Sequence, residues 1–300
     1  MALQSSGAIS ISEIKTELGS SSYSLTTLSG EASKTAPHGM KEFYGFSNAP
    51  AYTNSRFYEN DGTSDYIDCT TGSAPFSINT TQDLSFSLWV RNRGAKQNQL
   101  LYNFGNTNSN GNNRMFLTYS ANLNRLVARY RSNSTNFDRQ WSLHDNSSVT
   151  GVSSTGWAST NRGNVQSQNF CLLTVTYDAS QSNASNAFKL YWNATECTTQ
   201  AVANSGTRTA MNATKGRIGE NLHLTNSAGN ANLDYDEIKI YDKVLSSSEV
   251  STIYNSGTIA DSSQTVSSGL ITEWTFDNNN ANDSAGAYTC SIVNGNTATY

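Results

Sequence analysis

The side chains of this chain that could meet a ligand cluster in one stretch. Between residues 133 and 168 stand Arg139, Trp141, His144, Asp145, Trp157 and Arg162. An aromatic ring packs on the apolar C–H face of a sugar or protein, while charged and amide groups fix orientation. Trp141, Trp157, Arg139 and Asp145 are therefore the expected ligand-binding residues. For Trp141 the alternative is a core-facing place in a short strand. Catalysis has less to work with. His38, His144 and His223 have no Ser or Cys arranged with them as a nucleophile motif. The four cysteines, Cys69, Cys171, Cys197 and Cys290, form no C-x-x-C pair, which argues against zinc. Cys171 lies in an apolar run and is expected as a small buried hydrophobe. No catalytic residue is assigned, and the chain is read as a binding protein, not an enzyme.

Composition says what must position these groups. Of 300 residues only 14% are charged, and a mean hydropathy of −0.52 therefore comes from Ser, Thr and Asn. With 10% aromatics to build a core and only 3 Pro, this is an all-β, loop-rich protein. The net charge of −4 argues against nucleic acid or an anionic membrane as partner. No apolar run approaches a membrane span, and the N-terminus lacks the basic and apolar regions of a signal peptide.

Strand periodicity is plain in several places. Leu84, Phe86, Leu88 and Val90 alternate with Ser85, Ser87 and Trp89, and residues 115–119 and 126–130 read as a hairpin. Ile238 and Ile240 alternate with Glu237, Lys239 and Tyr241, predicting a half-buried strand. A short helix follows, with Ser246 and Glu249 as capping box, Val250, Ile253 and Tyr254 as apolar stripe, and Gly257 at the exit. The stretch 133–168 reads as a long connection, of the kind that carries function.

Residues 1–50 differ from the rest. Ser10 and Glu13 form a capping box ahead of a short helix through Ile11, Ile14 and Leu18 that stops at Gly19. Further turns are expected over residues 25–28 and 39–44. Helices this short are marginal alone, so they must pack on each other, on the β domain or on another protein. Ile11, Ile14, Leu18, Phe43 and Tyr44 are the expected partner-binding residues, and the domains are set at 1–50 and 51–300.

Two family resemblances follow from these motifs. The run Asp236-Glu237-Ile238-Lys239-Ile240-Tyr241, then Leu245-Ser246 to Glu249-Val250 and Tyr254, resembles the closing segment of laminin G-like, concanavalin A-like jelly-roll domains. Phe57 to Ile67, the pair 170–178 and 188–193, and Gly216-Arg217-Ile218-Gly219 resemble other strands of that family. The opening segment, with Gly7 to Ile14, Ser24-Leu25 and Phe43-Tyr44-Gly45, resembles an N-terminal module of tailed-phage virion proteins. Residues 270–277 and 282–286 resemble the family's opening strand and turn, yet here they come last. A circularly permuted β-sandwich is the expectation, with strand donation to a neighbouring subunit as its rival.

The resemblance implies a laminin G-like sandwich with a small helical docking module, displayed on a virion after assembly in the host cytoplasm. Its implied partners are other virion proteins and a host-surface glycan, and phage appendages of this kind are often trimers. The implied role is a tail fibre or adhesin; a capsid decoration or head-fibre protein and a free glycan-binding module are the alternatives. Glucanases on this fold place Glu-x-Asp-x-Glu along one strand, and Asp234-Tyr235-Asp236-Glu237 lacks that spacing. Laminin G-like domains commonly bind Ca2+, for which Asp236 and Asp283 are the implied ligands, against a plain hydrogen-bonded turn aspartate.

Overall fold

The computed structural model describes residues 8–32, 34, 39–43, 56–69, 78–79, 81–93, 98–105, 113–120, 125–132, 135–142, 170–198, 201–220, 230–255, 259, 266–277, 280–281, 288 and 290–299. The chain divides into two compact units, Met1–Thr53 and Asn54–Tyr300. In the first, helix α1 (Ile11–Leu18) starts where Ser10 Oγ accepts the Glu13 amide and the Glu13 carboxylate accepts the Ser10 amide, and it ends at Gly19 with φ 63°. Helix α2 (Leu25–Glu31) and a 3-10 turn (Met40–Phe43) follow. Ile14, Leu28 and Phe43 are fully buried against one another, with Ile11, Leu18 and Met40 packed around them. The expected partner surface is corrected accordingly. Ile14 and Phe43 serve the unit's own core, Ile11 and Leu18 lie partly buried at its rim, and Tyr44 lies outside the described residues.

The second unit is a two-sheet sandwich, its strands numbered in chain order. The back sheet runs β11 (Thr195–Glu196), β10 (Phe188–Trp192), β9 (Cys171–Tyr177), β4 (Leu84–Asn92), β15 (Leu233–Tyr241), β1 (Arg56–Glu59) and β18 (Asn296–Thr299), with β16 (Leu270–Trp274) also on β15. The front sheet runs β12 (Ala201–Ser205), β8 (Thr135–Ser142), β7 (Arg125–Ser132), β6 (Arg114–Ser120), β5 (Asn98–Gly105), β14 (Lys215–Ile218), β2 (Tyr66–Asp68) and β17 (Ser291–Val293). A small pair, β3 (Ile78–Asn79) with β13 (Asn212–Ala213), stands apart. Every pairing is antiparallel, so alternate residues of each strand meet in one apolar layer. Phe86, Tyr102 and Phe104 stack at its centre with ring centroids 4.5–5.4 Å apart. Gly216 faces this stack, and a Cβ there would lie 2.6 Å from the Phe104 ring.

The tail completes the same body. Arg56 to Glu59 pair with Thr299 to Asn296, Tyr66 to Asp68 pair with Val293 to Ser291, and Ile238 pairs with Trp274. Trp274 and Phe276 are buried in the main core. The stretch that resembles the family's opening strand joins the back sheet of its own chain as β16, and β17 and β18 add to the front and back sheets. A disulfide, Cys69–Cys290, fixes the closure across 221 positions. Cys171 and Cys197 are buried free thiols, with burial pushing the Cys197 thiol up to about 12.

The half-buried reading of β15 is corrected, since all nine of its residues are buried. Ile238 and Ile240 face the inter-sheet core; Tyr241 joins Trp89 and Leu172 on the other side of the back sheet, under Leu245, Val250, Ile253 and Val266. The lid is helix α4 (Ser247–Tyr254), capped by Ser246 and Glu249. It ends on Asn255 in the left-handed region, φ 44°, not on Gly257, which lies outside the described residues. Ser85 Oγ ties the turn before α4 to β4, donating to Lys243 O and accepting from Leu245 N. On the same covered side Lys239 Nζ meets Glu237 and, at 3.2 Å, Glu273 Oε1, all three side chains with no exposed surface. Burial disfavours the Lys239 ammonium, but the two carboxylates outweigh it and hold the charged form above its ordinary range.

Two outcomes test this architecture. Lys239→Met leaves two carboxylates buried without their cation and should cost about 3–5 kcal/mol in urea unfolding; adding Glu237→Gln and Glu273→Gln should recover part of the loss. Cys290→Ser, or reduction of the parent, should lower stability by about 2–5 kcal/mol, read from the same titration with and without reductant.

Candidate ligand-binding surface

Of the residues expected to bind ligand, Trp141 and Arg139 lie within the described residues, and both serve the fold. Residues 135–142, read as part of a loop, form strand β8, and Trp141 is fully buried in the inter-sheet core. The core-facing alternative is the one found, so the expectation of Trp141 as a sugar platform is overturned. Arg139, two residues earlier on the same face, stretches across the sandwich edge. Its Nη1 donates to Ser185 O at 2.7 Å and Phe188 O at 2.6 Å, joining β8 to helix α3 (Ala184–Ala187) and β10. Burial lowers the Arg139 pKa, opposed by the nearby Glu196. Arg139 is a clasp between the sheets, not a ligand contact. Asp145, Trp157 and the three histidines lie outside the described residues.

The acidic run of β15 is likewise committed to structure. Asp234, with 1% of its side chain exposed, accepts from Arg91 Nε at 2.7 Å and Arg93 Nη1 at 2.9 Å. Asp236 is buried, and its Oδ1 accepts the Glu237 amide at 2.8 Å. Asp283 lies outside the described residues. Among the described residues no group of three or more His, Cys, Asp or Glu could hold a metal ion, so they do not assemble the oxygen cage that the resemblance implies for calcium.

The described residues outline two surfaces. At one end of the sandwich an open groove of about 390 Å³ is lined by Thr81, Gln82, Asp83, Ala179, Ser180 and Asp242. Asp83 is partly occupied there, since its Oδ1 accepts the Ala179 amide at 3.0 Å. The second surface is the outer face of the front sheet. Met115, Leu117, Leu126, Ala128, Tyr130 and Phe137 point into the core; the period of two therefore sends Arg114, Phe116, Arg125, Arg129, Arg131 and Asp138 to the other side.

Register draws these into rows. Lys215, Gly105, Arg114, Arg131 and Asn136 form one, and Asp68, Arg217, Asn103, Phe116, Arg129, Asp138 and Asn204 form the next. Arg129 grips Asp138 with Nε 2.7 Å from Oδ2, and Asn204 Nδ2 donates to Oδ1 at 2.8 Å. Arg217 binds Glu220 and lies over the Tyr66 ring, 4.3 Å from its centroid. The Arg114 guanidinium lies 4.5 Å and the Arg129 guanidinium 5.7 Å from the Phe116 centroid. Burial, then the charges of Arg131 and Arg129, lower the Arg114 pKa to about 10. The Nε of Arg131 is buried and has no hydrogen-bond partner among the described residues. Sequence reasoning passed over this face, of which only the alternation Arg129-Tyr130-Arg131 shows in the chain itself.

The family comparison decides what kind of sandwich this is. Residues 61–251 match the laminin G profile of the Concanavalin A-like lectin/glucanases superfamily. The chain belongs to this superfamily. Among solved structures, a candidate carbohydrate binding protein from Bacteroides ovatus ATCC 8483 is similar at 12% identity and a TM-score of 0.50, over 85% of this chain and 62% of that one. This chain thus spans less than two thirds of that relative. A heptameric SAP-like pentraxin from Limulus polyphemus is 12% identical, TM-score 0.43, over 67% of this chain and 82% of its own. The CBM40 of a Ruminococcus gnavus IT-sialidase, solved with α2,3-sialyllactose, is 10% identical, TM-score 0.42, over 61% and 94%. At such identities the likeness concerns the fold. No curated protein matches the chain.

Trp141→Ala should therefore act on stability, costing about 3–5 kcal/mol by the cavity it leaves in the core. Whatever ligand the folded fraction binds should be bound as by the parent, measured by calorimetry below the unfolding transition.

Proposed function

We propose that the protein is a tailed-phage virion component, of tail fibre or adhesin type, whose β-sandwich holds a host-surface glycan. The observation that carries the glycan part is the outer face of the front sheet. On a lectin-superfamily sandwich it presents guanidinium and amide groups around Asp138, with Asn204 exposed and Val202 47% exposed beside them. Such groups supply the directed hydrogen bonds by which sugar hydroxyls and substituents are held. The role is read as binding; Asp234 and Glu237 of β15 are engaged with Arg91, Arg93 and Lys239, and Asp236 with the Glu237 amide.

The virion part rests on the resemblance of residues 7–14, 24–25 and 43–45 to a phage module. It is supported by the first unit's having a small core of its own around Ile14, Leu28 and Phe43. On this reading that unit docks to other virion chains, and assembly as a homo-oligomer, a trimer in many phage appendages, multiplies weak sugar contacts. A capsid decoration or head-fibre protein is the second reading, favoured by the burial of Trp141, which removes one expected sugar platform.

Full-length protein applied to an array of bacterial surface glycans should retain a defined subset, and immunogold labelling should mark the tail of the released particle. A labelled head with no glycan retained would transfer the assignment to the decoration reading. Unlabelled particles would sink the virion role altogether.

A further inference from the structure

The buried ions of the back sheet are placed as reactants are, and not only as a salt bridge. Lys239 on β15 and Glu273 on β16 are register partners, directly opposite one another across the antiparallel pair. The Lys239 Nζ lies 3.2 Å from Glu273 Oε1 and is hydrogen-bonded to the Glu237 carboxylate. All three side chains have no exposed surface, on the side of the sheet that Trp89, Tyr241, Val250 and Ile253 cover. An amine nitrogen held this close to a carboxyl group is within the range at which positioned reactants attack. A site shut off from bulk water also lacks the solvent that would hydrate the ions and reverse a condensation.

Backbone and energetics point the same way. Glu237 is a non-glycine residue at φ 44°, with its amide held by Asp236 Oδ1. Strain of this kind is kept where a group must be placed, and here it places a carboxylate on Nζ. Two carboxylates share one ammonium, so the cluster cannot be neutral while all three are ionised. Buried ions carry a desolvation cost that a neutral amide does not. Joining Lys239 to Glu273 removes a buried cation and a buried anion while keeping the register. The two carboxylates hold distinct places, Glu237 in a hydrogen bond suited to taking a proton and Glu273 across the ladder as acyl partner.

We propose that Lys239 and Glu273 condense in the folded chain into an intramolecular amide, a covalent rung between β15 and β16, with Glu237 carrying the proton. The Lys239 Nζ passes one proton to the Glu237 carboxylate and bonds to Cδ of Glu273. A Cδ–O bond then breaks. The departing oxygen takes the proton from Glu237 and a second from the nitrogen, and leaves as water. One hydrogen stays on the amide nitrogen, Glu237 returns to the carboxylate, and no oxidant or second substrate is consumed. Because the carboxylates hold Lys239 as the ammonium, proton transfer and attack belong to one event. The rung is independent of any ligand the sandwich holds.

Intact-mass spectrometry of the full-length protein, in denaturant and reductant, tests this directly. The parent should weigh one water less than its sequence, and reductant restores the hydrogens of Cys69–Cys290, so the disulfide adds nothing to the deficit. After trypsin, the segments holding Lys239 and Glu273 should travel as one branched peptide, uncut at Lys239. Glu237→Gln keeps the shape but cannot take the proton; it and Glu273→Leu should each show the full mass of their own sequences and a lower thermal midpoint. Lys189→Gln, elsewhere on the back sheet, should keep the deficit. A parent at full mass overturns the proposal, whether or not any variant folds. So does a deficit that maps elsewhere, including Lys239 joined to Glu237. A Glu237→Gln protein still lighter by one water, with the same branched peptide, overturns the part given to Glu237.

Discussion

One strand, β15, is shared by more neighbours than an ordinary strand, and the sandwich depends on how it manages this. Along one edge it pairs continuously with β4 save for a bulge between Asp236 and Lys239. Along the other its first half serves β1 through Asp234 and Tyr235, and its second half serves β16 from Ile238 onward. The change of partner falls at Glu237, a non-glycine residue at φ 44°. A left-handed residue at a bulge re-aims the strand, which a regular ladder cannot do. The buried ions sit at the same place, Lys239 between Glu237 of its own strand and Glu273 of β16. Burying three charges is expensive, and the arrangement survives because each carboxylate has the cation to answer it. Its gain is specificity: only β16 in this register brings Glu273 opposite Lys239.

This arrangement also decides which sheet can face a ligand. The back sheet is used on both sides, by the inter-sheet core and by the layer that α4 lays over Trp89, Leu172 and Tyr241. Its polar residues there, Ser85, Ser87, Thr174 and Lys239, are buried and bonded inward. The front sheet turns one side to the core and keeps basic and amide groups on the other. A division of labour between the sheets follows from where one eight-residue helix was placed.

Much of the fold could be read from the chain, and the failures have definite causes. Period-two runs gave β4, β6 and β7 within a residue or two, the family resemblance marked β9, and both capping boxes appear as written, at Ser10–Glu13 and Ser246–Glu249. β8 was missed because Arg139 sits between Phe137 and Trp141 on an inward face, where the pattern leads one to expect an apolar residue. The arginine is tolerated only because two carbonyls across the edge accept its protons. The basic face was illegible for a different reason. Arg114, Arg131, Lys215 and Arg217 are scattered in sequence, and only strand register, which local periodicity does not specify, lines them up. Nor does cysteine spacing reveal that Cys69 should find Cys290.

The meeting of Arg56 with Thr299 gives the sandwich an unusual mechanical character. Tension applied at both ends of this unit peels β1 from β18 like a zipper, one rung at a time. Yielding runs inward over residues 56–69 and 290–299, releasing on the order of 80 Å at ~3.5 Å per residue, and then halts at the Cys69–Cys290 bond. Beyond that point the force travels through sulfur and bypasses the two sheets. Oxidised, the unit would work as a tether with a built-in stop; with its thiols reduced, the same pull would reach the core.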